Sequence, residues 1–162
     1  MSSEDVSVTS DEFRHTCSRF ATGVTVATAL DAQGSPHGLT VSSFTSVSLD
    51  PPLVLICLGH AVTVIDIFRH ATHFGINVLA AEQRPISDRF ARKGLDRFNG
   101  LAWERGATGV PLLPGVLAAI ECAVHERFTS GDHDIFVGRM VHARTAEGDP
   151  LLYYASGYRE IG

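Results

Sequence analysis

Hydroxyl side chains recur at alternate positions after Gly38: Thr40, Ser42, Ser46 and Ser48, with Phe44 completing the row. In an extended chain these residues share one face, while Leu39, Val41, Ser43, Thr45, Val47 and Leu49 share the other, mostly oily one. Hydroxyls and bare amides on a firm strand suit the carbonyl and nitrogen edge of a flat polar ligand. The same pattern also describes a half-solvated strand whose Ser and Thr face water. Pro51-Pro52 cannot donate backbone hydrogen bonds, so it ends this strand, and the apolar run Leu53 to Leu58 follows as a second, buried one.

Past that run, Gly59-His60-Ala61-Val62-Thr63 leads into a short amphipathic helix carried by Val64, Ile65, Ile67 and Phe68 and ending near His70. A helix starting beside a buried strand offers unpaired amides to an anion such as a phosphate, although a water-capped junction has the same sequence. Arg89 and Arg92, on a later helix, either reach such an anion or serve solubility. Gly131-Asp132-His133 forms a turn whose histidine is either a plain surface residue or a ligand-facing one.

Other chemistries lack their residues. No G-x-G occurs, which removes the dinucleotide-binding and kinase-type glycine loops, and the single lysine, Lys93, stands in no phosphate-binding loop. No G-x-S-x-G supports a hydrolase. His70 with His73 lies at a helix end, and Cys122 with His125 falls on opposite faces of a strand, so no metal is expected. Cys17, Cys57 and Cys122 are widely spaced among apolar neighbours, without a C-x-x-C pair or a secretory signal. They read as buried structural thiols in a reducing cytoplasm. A net charge of -5 argues against nucleic acid as a partner. The six-residue apolar run of the central stretch is too short for a membrane.

These residues need elements to hold them. The 162 residues, 44% hydrophobic and 19% charged, fit a loose tail at 1–9 and one domain over 10–162. Thr9 and Glu12 form a capping box for a helix over 10–20, with Phe13, Cys17 and Phe20 at helical spacing. Strands are expected over 24–30, from 38 onward, 53–58, 74–80, 116–129, 135–144 and 151–154. A second late helix is expected over 82–93 with Pro85 in its first turn. Residues 94–115, with five glycines, read as a long loop. Glu121 lies in an ambiguous apolar run that suits a strand better than a helix. Six or seven strands joined mostly by hairpins, with two or three helices inserted, imply a closed antiparallel β-barrel.

The pieces also resemble, in order and spacing, the flavin reductase-like family, small NAD(P)H:flavin oxidoreductases that supply reduced flavin to a separate monooxygenase. The resemblance is carried by Phe20-Ala21-Thr22-Gly23-Val24-Thr25-Val26, Gly38 to Phe44, Ser46 to Leu49 and Pro51 to Val54. It continues through Phe74 to Leu79, Gly131-Asp132-His133 with Gly138, and Pro150 to Tyr154 with Gly157-Tyr158. It implies a mainly β, FMN-binding split β-barrel of Greek-key topology with two or three added helices, as a homodimer with flavin near the subunit interface. FMN or FAD and NADH or NADPH are the implied cofactors, and a flavin ring would give nicotinamide a flat surface to stack on without a Rossmann fold. Thr40, Val41, Ser42, Ser43 and Ser46 would hold the ring edge. Leu58, His60, Ala61 and Thr63 would receive the ribityl phosphate, with Arg89 as a further phosphate partner. His133 would position nicotinamide, and Tyr158 would flank the same pocket. His60 and Ala61 replace the serines and basic residue that family members commonly carry, which suits loosely held, released flavin. The alternative reading is a non-catalytic flavin carrier or sensor, which has no need of the nicotinamide side of the pocket.

Overall fold

The computed structural model describes residues 8–94 and 96–162, so the expected tail lies almost wholly outside the described residues. Helix α1 (Ser10–Cys17) begins with the expected capping box: Thr9 Oγ1 accepts the Glu12 amide at 3.2 Å, and Glu12 Oε2 accepts the Thr9 amide at 2.7 Å. It ends three residues short of position 20 and buries none of its residues. Cys17 is therefore exposed, contrary to expectation. Cys57 is half-buried, and Cys122 alone of the three is fully inside.

Strands β1 (Thr22–Gly23), β2 (Thr25–Leu30), β3 (Pro36–Val41), β4 (Thr45–Ser48) and β5 (Leu53–Gly59) come next. Helix α2 (Ile65–His70), β6 (His73–Val78) and, after a 3-10 turn at Ala81–Gln83, helix α3 (Arg84–Ala91) follow. The loop expected over 94–115 carries the short pair β7 (Glu104–Arg105) and β8 (Pro111–Leu112). A long hairpin, β9 (Ala118–Ser130) and β10 (His133–Thr145), precedes β11 (Leu152–Tyr154) and β12 (Gly157–Arg159), the last of which the sequence did not announce.

Seven strands form one antiparallel sheet in the order β3-β2-β6-β9-β10-β5-β4, and β1-β11-β12 form a smaller one. Strand β2 lies between β3 and β6 and is buried on nearly every residue, as its small and β-branched side chains allow. Strand β5 alternates instead of being buried throughout: Val54, Ile56 and Leu58 enter the core, while Leu55 and Cys57 are half-covered. On the core side Phe68 meets Phe136 edge-on at 6.1 Å, and under α3 Phe90, Phe98 and Trp103 stack edge-on in a row. At Gly138 a β-carbon would lie 2.6 Å from both Cys122 Cβ and Phe74 Cζ, so the hairpin crosses β6 only because that side chain is missing. Glu121 settles on β9, where its carboxylate accepts the Ala107 and Thr108 amides and the Thr108 hydroxyl.

The unbroken strand expected from Gly38 to Leu49 is two strands on opposite edges of the sheet, joined by Ser42, Ser43 and Phe44. Its oily face holds for Leu39 and Val41, which are buried, and fails for Val47 and Leu49, which are exposed. The reason is local. Ser43 Oγ accepts the Cys57 amide and donates to the Cys57 carbonyl, each at 3.0 Å, so one side chain takes over what a backbone ladder would do.

Candidate functional site

The hydroxyl row and the last strands meet on one side. Thr40, Ser42, Ser87, Tyr153 and Tyr158 line a cavity of about 220 Å³. Position 40 is set by β3, position 87 by α3, whose inward face carries Ser87 and Phe90 three residues apart. Thr40 Oγ1 donates to the Ser87 carbonyl at 2.6 Å, and Ser87 Oγ lies 2.6 Å from the Tyr158 hydroxyl. Tyr153 meets Tyr158 edge-on at 5.5 Å, and the Arg84 guanidinium stands 4.8 Å over the Tyr158 ring. Burial pushes the Tyr158 phenol up, against the pull of the Ser87 hydrogen bond, which keeps it un-ionised at neutral pH. Ser42 and Ser46 are exposed and, among the described residues, their hydroxyls make no hydrogen bond. These donors fit the polar edge of a flavin ring.

A second group forms where β5 ends and the β9–β10 hairpin turns. Gly131, with φ of +60°, and Asp132 make the turn, and His133 opens β10 directly opposite Gly59. The His60 amide donates to the Asp132 carbonyl at 2.9 Å, tying the two turns together. His133 Nδ1 lies 2.7 Å from Asp132 Oδ1, and a β-carbon at residue 59 would stand 3.5 Å from His133 Nε2, so the imidazole edge lies against bare glycine backbone. The His133 hydrogen bond holds the Asp132 carboxyl below its usual range.

His60 turns its Nε2 to Asp134 Oδ1 at 2.9 Å. Asp134 is wholly buried and also receives Arg69, Arg127 and Thr129. The Arg69 hydrogen bond, followed by those of Thr129 and His60, outweighs burial and holds the Asp134 carboxyl far below the usual carboxylate range. In the turn itself the Val62 amide bonds the Gly59 carbonyl and the Ile65 amide the Val62 carbonyl. Ala61 and Thr63, both exposed, contribute no amide to those bonds. Amides of this kind fit a phosphate ester.

Not every expected residue joins these groups. The side chains of Val41 and Leu58 belong to the core, which leaves only their backbone groups, and the Val41 carbonyl already accepts Thr25 Oγ1. Ser43 is tied to Cys57, as described. Thr63 borders a different cavity of about 620 Å³, beside His37, Arg97 and Trp103. Arg89 spends its guanidinium on the loop after α3, donating to the Arg97 carbonyl at 2.5 Å and to the Asn99 carbonyl. Sequence reasoning missed Ser87, Tyr153, Asp134, Arg69 and Arg127. Asp134 alone carried a legible signal, a carboxylate between His133 and the apolar run Ile135-Phe136-Val137. Among the described residues, no three His, Cys, Asp or Glu side chains are grouped to hold a metal, and no helix is long and apolar enough to cross a membrane.

Comparison with known proteins fits this arrangement. Residues 17–162 match the model of the flavin reductase like domain. An FMN reductase (NADH) of Agrobacterium fabrum is 45% identical over 149 residues, 92% of this chain and 84% of that protein. The reductase component of a 4-nitrophenol 4-monooxygenase/4-nitrocatechol 2-monooxygenase from Rhodococcus opacus is 39% identical over 143 residues, 88% of this chain and 76% of that one. The solved structure of a Streptomyces globisporus NADH:FAD oxidoreductase in complex with NAD and FAD fragments superposes with a TM-score of 0.88 at 36% identity, covering 94% of this chain and 92% of that one.

Proposed function

The chain belongs to the flavin reductase like family, and on that premise we propose that it transfers a hydride from NADH or NADPH to FMN or FAD and supplies the reduced flavin to a separate monooxygenase. The observation that carries this reading is the 2.9 Å bond between the His60 amide and the Asp132 carbonyl. It joins the turn that would take the flavin phosphate to the turn whose histidine would take nicotinamide, so two nucleotides held there are neighbours. Proximity is most of what such a transfer asks of the protein.

A bound flavin supplies the hydride-accepting ring, and the chain's own groups hold and orient. Ser42 and Ser46 offer hydroxyls, and Thr40, Val41 and Ser43 offer backbone groups, to the ring edge. Leu58 through its backbone, and His60 and Ala61, border the path of the ribityl phosphate, and Thr63 closes the same turn from the side of the neighbouring cavity. His133 orients nicotinamide against the ring, and Tyr158 walls the pocket. No side chain serves as a nucleophile.

The seven-stranded sheet reads as a Greek-key split barrel, because its two edge strands β3 and β4 are successive in the chain and only three residues apart. One domain over 10–162, acting in the cytoplasm, and a homodimer complete the proposal. The dimer is supported by Phe13, Phe20, Val47, Leu49 and Phe128, large apolar side chains left exposed on one copy. Mixing the protein with FMN and NADH tests the activity: rapid loss of NADH absorbance is expected, with oxygen consumed by the freed reduced flavin. A protein that binds flavin yet leaves NADH untouched would be a carrier or sensor instead.

A further inference from the structure

We propose that Asp134 is the positioning residue of the phosphate end of the flavin site, fixing His60 and gathering Arg69 and Arg127 beside the Gly59–Thr63 turn so that it receives the flavin's terminal phosphate. The proposal rests on the flavin-reducing reading above.

Four side chains from three directions converge on this one carboxylate. Oδ1 accepts His60 Nε2 at 2.9 Å and Thr129 Oγ1 at 2.8 Å, while Oδ2 accepts Arg69 Nε at 2.7 Å and Arg127 Nη1 at 3.3 Å. A carboxylate so surrounded is an acceptor only, so the hydrogen of the facing imidazole nitrogen belongs to Nε2, which pins the His60 ring and with it the backbone amides of the turn. The carboxylate is wholly buried, whereas His60, Arg69 and Arg127 keep 35%, 30% and 40% of their side chains exposed. The cations are thus reachable and their counter-charge is not. At the buried carboxylate itself two guanidiniums face one carboxylate, and each guanidinium keeps an exposed edge. The other charged groups facing it are Asp66, 3.4 Å from Arg69 Nη1 and largely in water, and Asp132, which holds His133.

The same carboxylate sets the second histidine. Residues 133 and 134 are neighbours on β10, so an inward Asp134 sends His133 to the opposite face, against Gly59. Arg89, the cation the sequence offers for the phosphate, is occupied with loop carbonyls, which leaves Arg69 and Arg127 as the arginines grouped with His60.

The test uses the full chain and two ligands, FMN and riboflavin, which differ only in the phosphate. The wild type is expected to bind FMN about tenfold more tightly than riboflavin. Asp134→Asn and His60→Asn should each erase that advantage while riboflavin affinity stays, and the double variant should lose no more than either alone. Nitrogen-15 spectra of the free protein should show His60 protonated on Nε2. An unchanged FMN-to-riboflavin ratio in D134N, an equal loss for both flavins, or a change confined to the KM for NADH overturns the assignment. An Nε2 without its proton overturns the positioning. A wild type that binds neither flavin overturns the reductase reading instead, and the spectrum still decides the His60 geometry. Should D134N fail to fold, Arg127→Gln, on a side chain that is partly in water, replaces it with the same expected loss for FMN alone.

Discussion

The Tyr158 hydroxyl lies 2.6 Å from Ser87 Oγ, which couples β12 to the buried side of α3. Tyr158→Phe keeps the ring against Tyr153 and Arg84 and removes only this bond. A loss of about 1 kcal/mol in urea unfolding is expected, and Tyr158→Ala should cost clearly more, because the ring contacts go with it.

The His133 ring is held by Asp132 and lies against the bare backbone of Gly59. His133→Ala should lower kcat/KM for NADH by about 10–100-fold while FMN affinity changes by less than about twofold. Steady-state rates and fluorescence titration of the same preparation check this. Parallel losses of both would mean that His133 holds the flavin too.

Gly138 faces Cys122 and Phe74 with no room for a methyl group. Gly138→Ala should destabilise the hairpin crossing by about 1–3 kcal/mol and lower Tm, because the 2.6 Å approaches involve a β-carbon fixed to the neighbouring strand and a packed ring edge. An unchanged melting curve would mean that β9 and β6 can part at little cost.

Acid should loosen the fold through Asp134. Its carboxyl is held below its ordinary range in the folded state, so its contribution is complete above about pH 4, the unfolded value, and fades as pH falls further. In wild type, stability should drop along that acid limb. In Asp134→Asn the limb should be shallower, since the amide binds no proton there. Urea midpoints taken between about pH 5 and pH 2 provide the comparison.

Local signals in the sequence were read well where one residue determines one feature. Thr9 and Glu12 announced the start of α1, Pro85 the first turn of α3, and Gly131-Asp132 the hairpin turn. Pairing was less legible. The alternation from Leu39 to Leu49 is identical whether the strand runs straight or changes edges at Ser43, because a period of two says which face a residue takes and nothing about its neighbour. The same gap explains Arg89 and Arg127. On the chain both are arginines among mixed neighbours, and only the tertiary fold turns one to the loop at 97–99 and the other to Asp134. The stripe of Phe13, Cys17 and Phe20 suggested burial, yet α1 buries none of its residues, since amphipathic spacing does not specify what packs against the apolar side.

At Ser43 the link between β3 and β4 is stitched to β5 by one side chain, through two hydrogen bonds to Cys57. Bonds of this kind contribute about 1 kcal/mol each, so unstitching them lies within ordinary thermal fluctuation. Ser42 and Ser46 flank that stitch and must travel with it. Any parting of that stitch therefore moves both hydroxyls together, as one unit with the end of β3.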